Sequence, residues 1–207
     1  MGWATGAPAA ANVSRVPGCW ADGSDQLLAD YHDAEWGRPV TDTQGLYERL
    51  CLEGFQSGLS WRTVLAKRPA FREVFAGFDP RVVAAFSQSD VERAMLDARV
   101  VRNRRKIDAT VANARAVLAL DEPLPALLWA AAPAPGPAPL TLADVAPSRP
   151  ESVALARDLR RRGFAFVGPT TVYALMQACG LVNDHLESCP LRAEVEAQRQ
   201  AVTPPAV

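Results

Sequence analysis

Both histidines of this chain stand at a metal-compatible spacing from a cysteine, one pair near each end of the sequence: Cys19 with His32, and His185 with Cys189 in H-L-E-S-C. Four such side chains around one tetrahedral ion, with bonds of about 2.0–2.3 Å, form a Cys2His2 zinc site that clasps the start of the folded chain to its end. On a helix, the i, i+4 separation of His185 and Cys189 puts both on one face, so that segment is expected to be helical. Four protein ligands close the ion to substrate, which suits a structural role and leaves no position for a zinc hydrolase. Taken singly, a buried cysteine is a small apolar side chain and a lone histidine a satisfied core group. The pairing carries the argument.

At 207 residues, 49% hydrophobic and 22% charged, the chain can bury one sizeable core, as a single domain or as two lobes sharing an interface. The longest apolar run, Leu124 to Leu140, is broken by Pro133, Pro135, Pro137 and Pro139 and cannot span a membrane. The start, M-G-W-A-T-G-A-P-A-A-A-N, lacks the basic and apolar regions of a signal peptide. A cytoplasmic location is therefore expected, where reduced thiols are free to act as ligands. A net charge of −1 argues against a nucleic-acid partner, but the distribution argues for one. Basic residues gather in R-V-V-R-N-R-R-K (Arg99 to Lys106) and R-D-L-R-R-R (Arg157 to Arg162). Either run alone reads as a solvated helix face, whereas two beside a suitable turn suit a phosphate backbone.

Residues 1–17 and 191–207 have the composition of loose extensions. Between them apolar residues recur every three or four positions, as in Leu46, Leu50 and Val111, Ala114, Val117, Leu118, and strand signals are scarce. Helices are expected to start at Thr41 or Asp42, at Ser60, at Asp79 before Pro80, at Ser89 or Asp90, and at Ser148 before Pro150. The stretch A-A-A-P-A-P-G-P-A-P from Ala130 is an extended connector. The fold class is all-α, with about eight to ten helices.

Three constellations carry chemistry. In E-G-F-Q-S-G-L-S-W, Glu53 and Trp61 bracket a turn made sharp by Gly54 and Gly58, offering an acceptor and a large π face to a flat ligand. Alone, Glu53 reads rather as a surface helix carboxylate and Trp61 as core. The second is R-G-F-A-F-V-G-P-T-T (Arg162 to Thr171). It has the form of a hairpin ahead of a helix whose free N–H groups face a phosphate, with Val167 and Gly168 as the second half of the turn and Thr170 and Thr171 in the first helical turn. Phe166 stands where that pattern has its first glycine, and a glycine-capped loop between core helices reads equally well. The third is aromatic: Trp20, Tyr31, Trp36 and Trp61 can line a cavity that stacks an extruded base, or simply pack in a core.

Six motifs occur in order: C-W from Cys19, Y-H-D-A-E-W-G from Tyr31, C-L-E-G-F-Q-S-G-L-S-W from Cys51, R-N-R-R-K-I from Arg102, R-R-G-F-A-F-V-G-P-T-T from Arg161, and M-Q-A-C-G-L-V-N-D-H from Met176. Together they resemble the DNA-3-methyladenine glycosylase I family of the helix-hairpin-helix glycosylase superfamily, over residues 18–190. The resemblance implies an all-α glycosylase domain of two helical lobes, with one structural Zn2+ held by Cys19, His32, His185 and Cys189. Glu53 becomes the carboxylate that contacts the base, Trp61 the stacking wall, and Tyr31 and Trp20 further pocket residues. Gly58 and Leu59 fall where the family fills the gap left in the duplex, with Val167, Gly168, Thr170 and Thr171 on the DNA backbone. The implied activity is hydrolytic release of 3-methyladenine from alkylated double-stranded DNA by a monomer. Thr170 stands where lyases of the superfamily carry a lysine, so no covalent lyase step is expected. Aligning N-D-H on the superfamily's catalytic aspartate places Asn183 there. Asp184 follows one position later, about 100° away if the segment is helical, and is not expected to replace it.

Overall fold

The computed structural model describes residues 19–21 and 23–203, so the extension expected at 1–17 lies outside the described residues. Ten α-helices form among them: α1 (Gln26–Ala34), α2 (Thr43–Gln56), α3 (Trp61–Val74), α4 (Pro80–Ala84), α5 (Gln88–Leu96), α6 (Arg104–Leu118), α7 (Leu124–Trp129), α8 (Pro150–Arg161), α9 (Pro169–Ala178) and α10 (Arg192–Gln200). No strand forms there, and Cys19 alone makes an isolated bridge.

The helix starts follow local chemistry. Asp42 accepts from the Gly45 amide at 2.7 Å, Ser60 from the Thr63 amide at 3.2 Å, and Asp79 caps α4 ahead of Pro80. Two starts differ from expectation by a residue or two. Ser87 rather than Ser89 caps α5, because Asp90 at the third helical position reaches back to the Ser87 amide. Arg149 rather than Ser148 precedes α8, where Ser152 bonds both the amide and the carbonyl of Arg149. The connector after α7 runs extended, as its prolines require.

Helix α2 is the axis of the molecule, packed against α3, α6, α7 and α9. Its apolar residues Leu46, Tyr47, Leu50, Cys51, Leu52 and Phe55 are almost completely buried. Two carboxylates are buried with them. Glu48 accepts from Arg68 at 2.6 Å and Arg72 at 2.9 Å, and Arg68 also reaches Glu35 at 2.7 Å, tying α1, α2 and α3 together. The other, Glu53, faces a cavity.

Of the tail expected at 191–207, the described residues 191–203 are not loose, since α10 fills much of them. Its composition is polar, yet Leu191 and Val195 are buried in a small cluster with Cys19 and Cys189. Its arginines bond the backbone it covers: Arg192 donates to the carbonyls of Asn183 (3.0 Å) and His185 (2.6 Å), and Arg199 to those of Leu181 (3.0 Å) and Pro133. A chain end anchored through side chain to carbonyl bonds carries no apolar stripe to read.

Gly180 closes α9 at φ +77°, and a Cβ there would stand 2.6 Å from the Gly37 carbonyl oxygen and 2.9 Å from the Pro39 nitrogen. Gly180→Ala is therefore expected to destabilise the fold by roughly 2–4 kcal/mol, from left-handed backbone strain plus overpacking. Denaturant midpoints measure it, and an unchanged midpoint would contradict this close approach.

Candidate active site and metal centre

A cavity of about 320 Å³ opens beside α2. Glu53 and Gln56 of α2, Tyr31 of α1, Trp61 at the start of α3, and Trp20 and Trp36 beside α1 line it, with Ala174 and Gln177 of α9 and Asp184 beyond. The Tyr31 and Trp61 rings lie 5.2 Å apart, Trp20 and Trp36 5.4 Å, and Trp20 and Tyr31 6.2 Å. Glu53 is 6% exposed, and no protein donor reaches its carboxyl among the described residues. Burial pushes its pKa from 4.5 up to about 8. The Tyr31 hydroxyl is likewise raised, by burial and then by Glu53, and stays protonated. The cavity thus offers π faces and a desolvated carboxyl to a flat ligand, best a cationic one.

Asp184 corrects one expectation. Residues 183–186 lie outside any helix, so the helical offset does not apply and Asp184 reaches the cavity wall. Its buried carboxylate accepts from the Tyr173 hydroxyl (2.5 Å), Gln177 (2.9 Å) and Arg149 (3.0 Å), which hold it rigidly. Asn183 instead turns away and donates to the Arg192 carbonyl and to Glu196.

Three of the four expected metal ligands converge. Ligand atoms of Cys19, His32 and Cys189 lie within 4.8 Å of one another and are all buried. The Cys19 sulfur is 3.0 Å and the Cys189 sulfur 3.9 Å from His32 Nε2. His185 is not in that group, nor does it share a helical face with Cys189, because residues 187–188 form a turn. Its ring sits 5.0 Å from that of His32, and its buried Nε2 has no partner. In both histidines Nδ1 faces an oxygen, of Asp33 at 2.8 Å and of Asn183 at 3.0 Å, which leaves the Nε2 lone pair as the one a metal would take. Burial lowers the His185 pKa to about 3, keeping it neutral. The two thiols and the His32 imidazole are close enough together to hold a metal ion. The same loop anchors the connector, as the Glu187 amide donates to the Pro139 carbonyl at 2.9 Å.

The turn after α2 places Gly58 at φ +80° and Leu59 42% exposed. Between α8 and α9, Phe166 occupies the left-handed region at φ +57°, which favours glycine, at a cost of about 1–2 kcal/mol. Asn113 of α6 compensates by bonding both the amide (2.7 Å) and the carbonyl (3.2 Å) of Ala165. Val167 is buried, Gly168 caps α9, and Pro169 opens it, leaving the amides of the more accessible Thr170 and Thr171 without intrahelical acceptors. Much of the basic clusters is consumed by ion pairs: Arg99 with Asp97 and Glu73, Arg104 with Glu92, Arg161 and Arg162 with Asp158. Arg102, Arg105, Arg157 and Arg160 have no acidic partner among the described residues.

A family model described as methyladenine glycosylase matches residues 20–193. The chain belongs to that family. Among its relatives, DNA-3-methyladenine glycosylase 1 of Escherichia coli (strain K12) is 48% identical over 171 residues, covering 80% of this chain and 91% of that protein. DNA-3-methyladenine glycosylase of Haemophilus influenzae is 43% identical over 176 residues, covering 82% and 95%. A crystal structure of 3-methyladenine DNA glycosylase I superposes with TM-score 0.78 at 46% identity, covering 81% of this chain and 94% of that one. A variant of 3-methyladenine DNA glycosylase I in complex with 3-methyladenine does so with TM-score 0.78 at 32% identity, covering 82% and 94%.

As a glycosylase of this family, the chain has a base-sized chamber only partly announced by its motifs. Glu53, Trp61, Tyr31 and Trp20 come together around it, whereas Gly58 and Leu59 lie on the turn beyond Gln56, and Val167, Gly168, Thr170 and Thr171 on the separate α8–α9 hairpin. Gln177 is a buried-face polar residue in the apolar run V-Y-A-L-M-Q-A-C, a signal that could have marked it. Leu142 and Val145, which complete the wall from a turn after the connector, carry no sequence signal at all.

Proposed function

We propose that this glycosylase flips 3-methyladenine out of alkylated duplex DNA and releases it by hydrolysis, leaving an abasic site for base excision repair. The observation that carries the reading is the aromatic chamber with the desolvated Glu53 carboxyl in its wall. Methylation at N3 makes adenine cationic, which weakens its glycosidic bond and makes the base a good leaving group. The protein therefore supplies extraction and recognition more than acid catalysis. Trp61 stabilises the cation by stacking, worth about 0.5–2 kcal/mol. Glu53 takes a hydrogen bond from the exocyclic amine, and the arriving cation favours its carboxylate over its protonated form, so binding expels a proton. Unmodified adenine brings no charge to exchange for that proton and stays paired. Flipping costs a few kcal/mol and least for a poorly paired base, so selection starts in the duplex.

Gly58 and Leu59 enter the gap the base leaves. The α8–α9 unit acts as the helix-hairpin-helix, in which the free amides around Val167, Gly168, Thr170 and Thr171 receive a phosphate. With Thr170 in place of a lysine there is no Schiff-base nucleophile, so strand cleavage does not follow. Cys19, His32, His185 and Cys189 would hold one Zn2+, which when bound supplies a structural crosslink between the chain ends. The protein acts in the cytoplasm as a monomer.

The test is incubation with methylated duplex: free 3-methyladenine and intact abasic strands are expected, and folded protein that frees no base would refute the reading. Trp61→Ala should slow release up to about 30-fold, the kinetic equivalent of the lost stacking. Release at the normal rate would remove Trp61 from the base pocket.

A further inference from the structure

Lys106 lies in the first turn of α6, yet its side chain turns inward and is 8% exposed. Its Nζ donates to two carbonyl oxygens, of Phe55 at 2.8 Å and of Ser57 at 2.5 Å. Both belong to the end of α2, where carbonyls lack intrahelical donors and a cation meets the negative end of the helix. The two bonds straddle Gln56, which lines the base chamber, and stop just short of Gly58 and Leu59.

That turn has little packing of its own. Nothing lies within 4 Å of the place a Cβ would take on Gly58, Leu59 is exposed, and its amide bond to the Gln56 carbonyl at 2.6 Å is its internal tie. Lys106 has no carboxylate partner among the described residues. A buried cation without one is a costly way to fill space that a methionine would fill as well. Its two bonds instead fix where α2 ends and how the chain leaves it.

We infer that Lys106 is a positioning residue that holds the Gly58–Leu59 turn in the shape in which it enters the duplex as the base leaves. The inference rests on the glycosylase reading above. It makes Lys106 matter when a gap opposite an intact base must be filled, and not for binding the base itself.

Lys106→Met keeps the aliphatic stem and removes the donors. Single-turnover release from a fully paired duplex should fall by about tenfold or more in the variant. Release from a duplex carrying the lesion opposite an abasic position, where no opposing base needs support, should fall by less than about threefold, and affinity for free 3-methyladenine should stay within about twofold. Equal losses on the two duplexes, or lost affinity for the free base, would show a general structural role and overturn the inference. An undiminished rate on the paired duplex would overturn it too. If Lys106→Met does not fold, Lys106→Gln carries the same comparison, with faster hydrogen exchange confined to the Gly58 and Leu59 amides as a second readout and uniform exchange as the contrary one. Wild-type protein inactive on both duplexes would sink the glycosylase reading and this inference together. An active wild type with an unaffected variant would sink only the inference.

Discussion

Replacing Glu53 by glutamine should slow release of 3-methyladenine by roughly 10²–10⁴-fold while making the protein more stable above neutral pH. The kinetic loss follows because glutamine can still face the base but cannot become the anion that answers its charge. The stability gain follows from burial. The carboxyl has an ordinary pKa of 4.5 and is pushed up to about 8 in the folded protein, so the folded state binds the proton more tightly than the unfolded chain. Stability from this group is complete below pH 4.5, declines as pH rises toward 8, and is flat above. Glu53→Gln removes the decline, so its advantage over wild type should grow across that window to about 5 kcal/mol. Thermal melts of both proteins from pH 4 to 9 measure it. A pH-independent difference would mean the carboxyl is not desolvated, and full activity would mean it does not meet the base.

Removal of the metal should cost about 3–5 kcal/mol of stability, or a fall in Tm on the order of 10 °C for a chain of this size. The ion would join Cys19 and His32 to the loop of His185 and Cys189, and that loop carries Asp184 on one side and α10 on the other. Without it the two thiols and two imidazoles become a buried polar cluster with one orphaned nitrogen already present. Cys189→Ala should reproduce the loss and cannot be rescued by added zinc. Elemental analysis should give one zinc per chain, and protein that melts unchanged after chelation would show that the cluster stands without an ion. At temperatures where metal-free protein remains folded, base release should persist, because no step of the proposed chemistry passes through the ion.

The helical architecture was legible because its signals are local: Asp42, Ser60 and Asp79 announce helix starts, and α2 shows its apolar faces in sequence. The aromatic and carboxylate walls of the chamber were legible because Glu53 and Trp61 flank one turn. What escaped lies in long-range geometry. His185 and Cys189 approach His32 through a turn that mimics the spacing of a helix face. Asp184 reaches the cavity because the same segment is not helical. Phe166 holds a backbone conformation its side chain disfavours because Asn113, far away in sequence, grips the neighbouring peptide. Lys106 was counted among the basic residues of a surface cluster, and only the fold shows it facing inward.

The proline-rich connector is fastened at both ends, Pro133 by Arg199 and Pro139 by the Glu187 amide, while Ala134 to Pro137 between them are exposed. A Cβ added at Gly136 would meet nothing within 4 Å. The length and identity of those few positions are therefore free to drift between descendants of this sequence, because the fastenings isolate the interior from whatever the exposed span becomes. The same freedom makes the span a natural place to graft a reporter or an affinity handle.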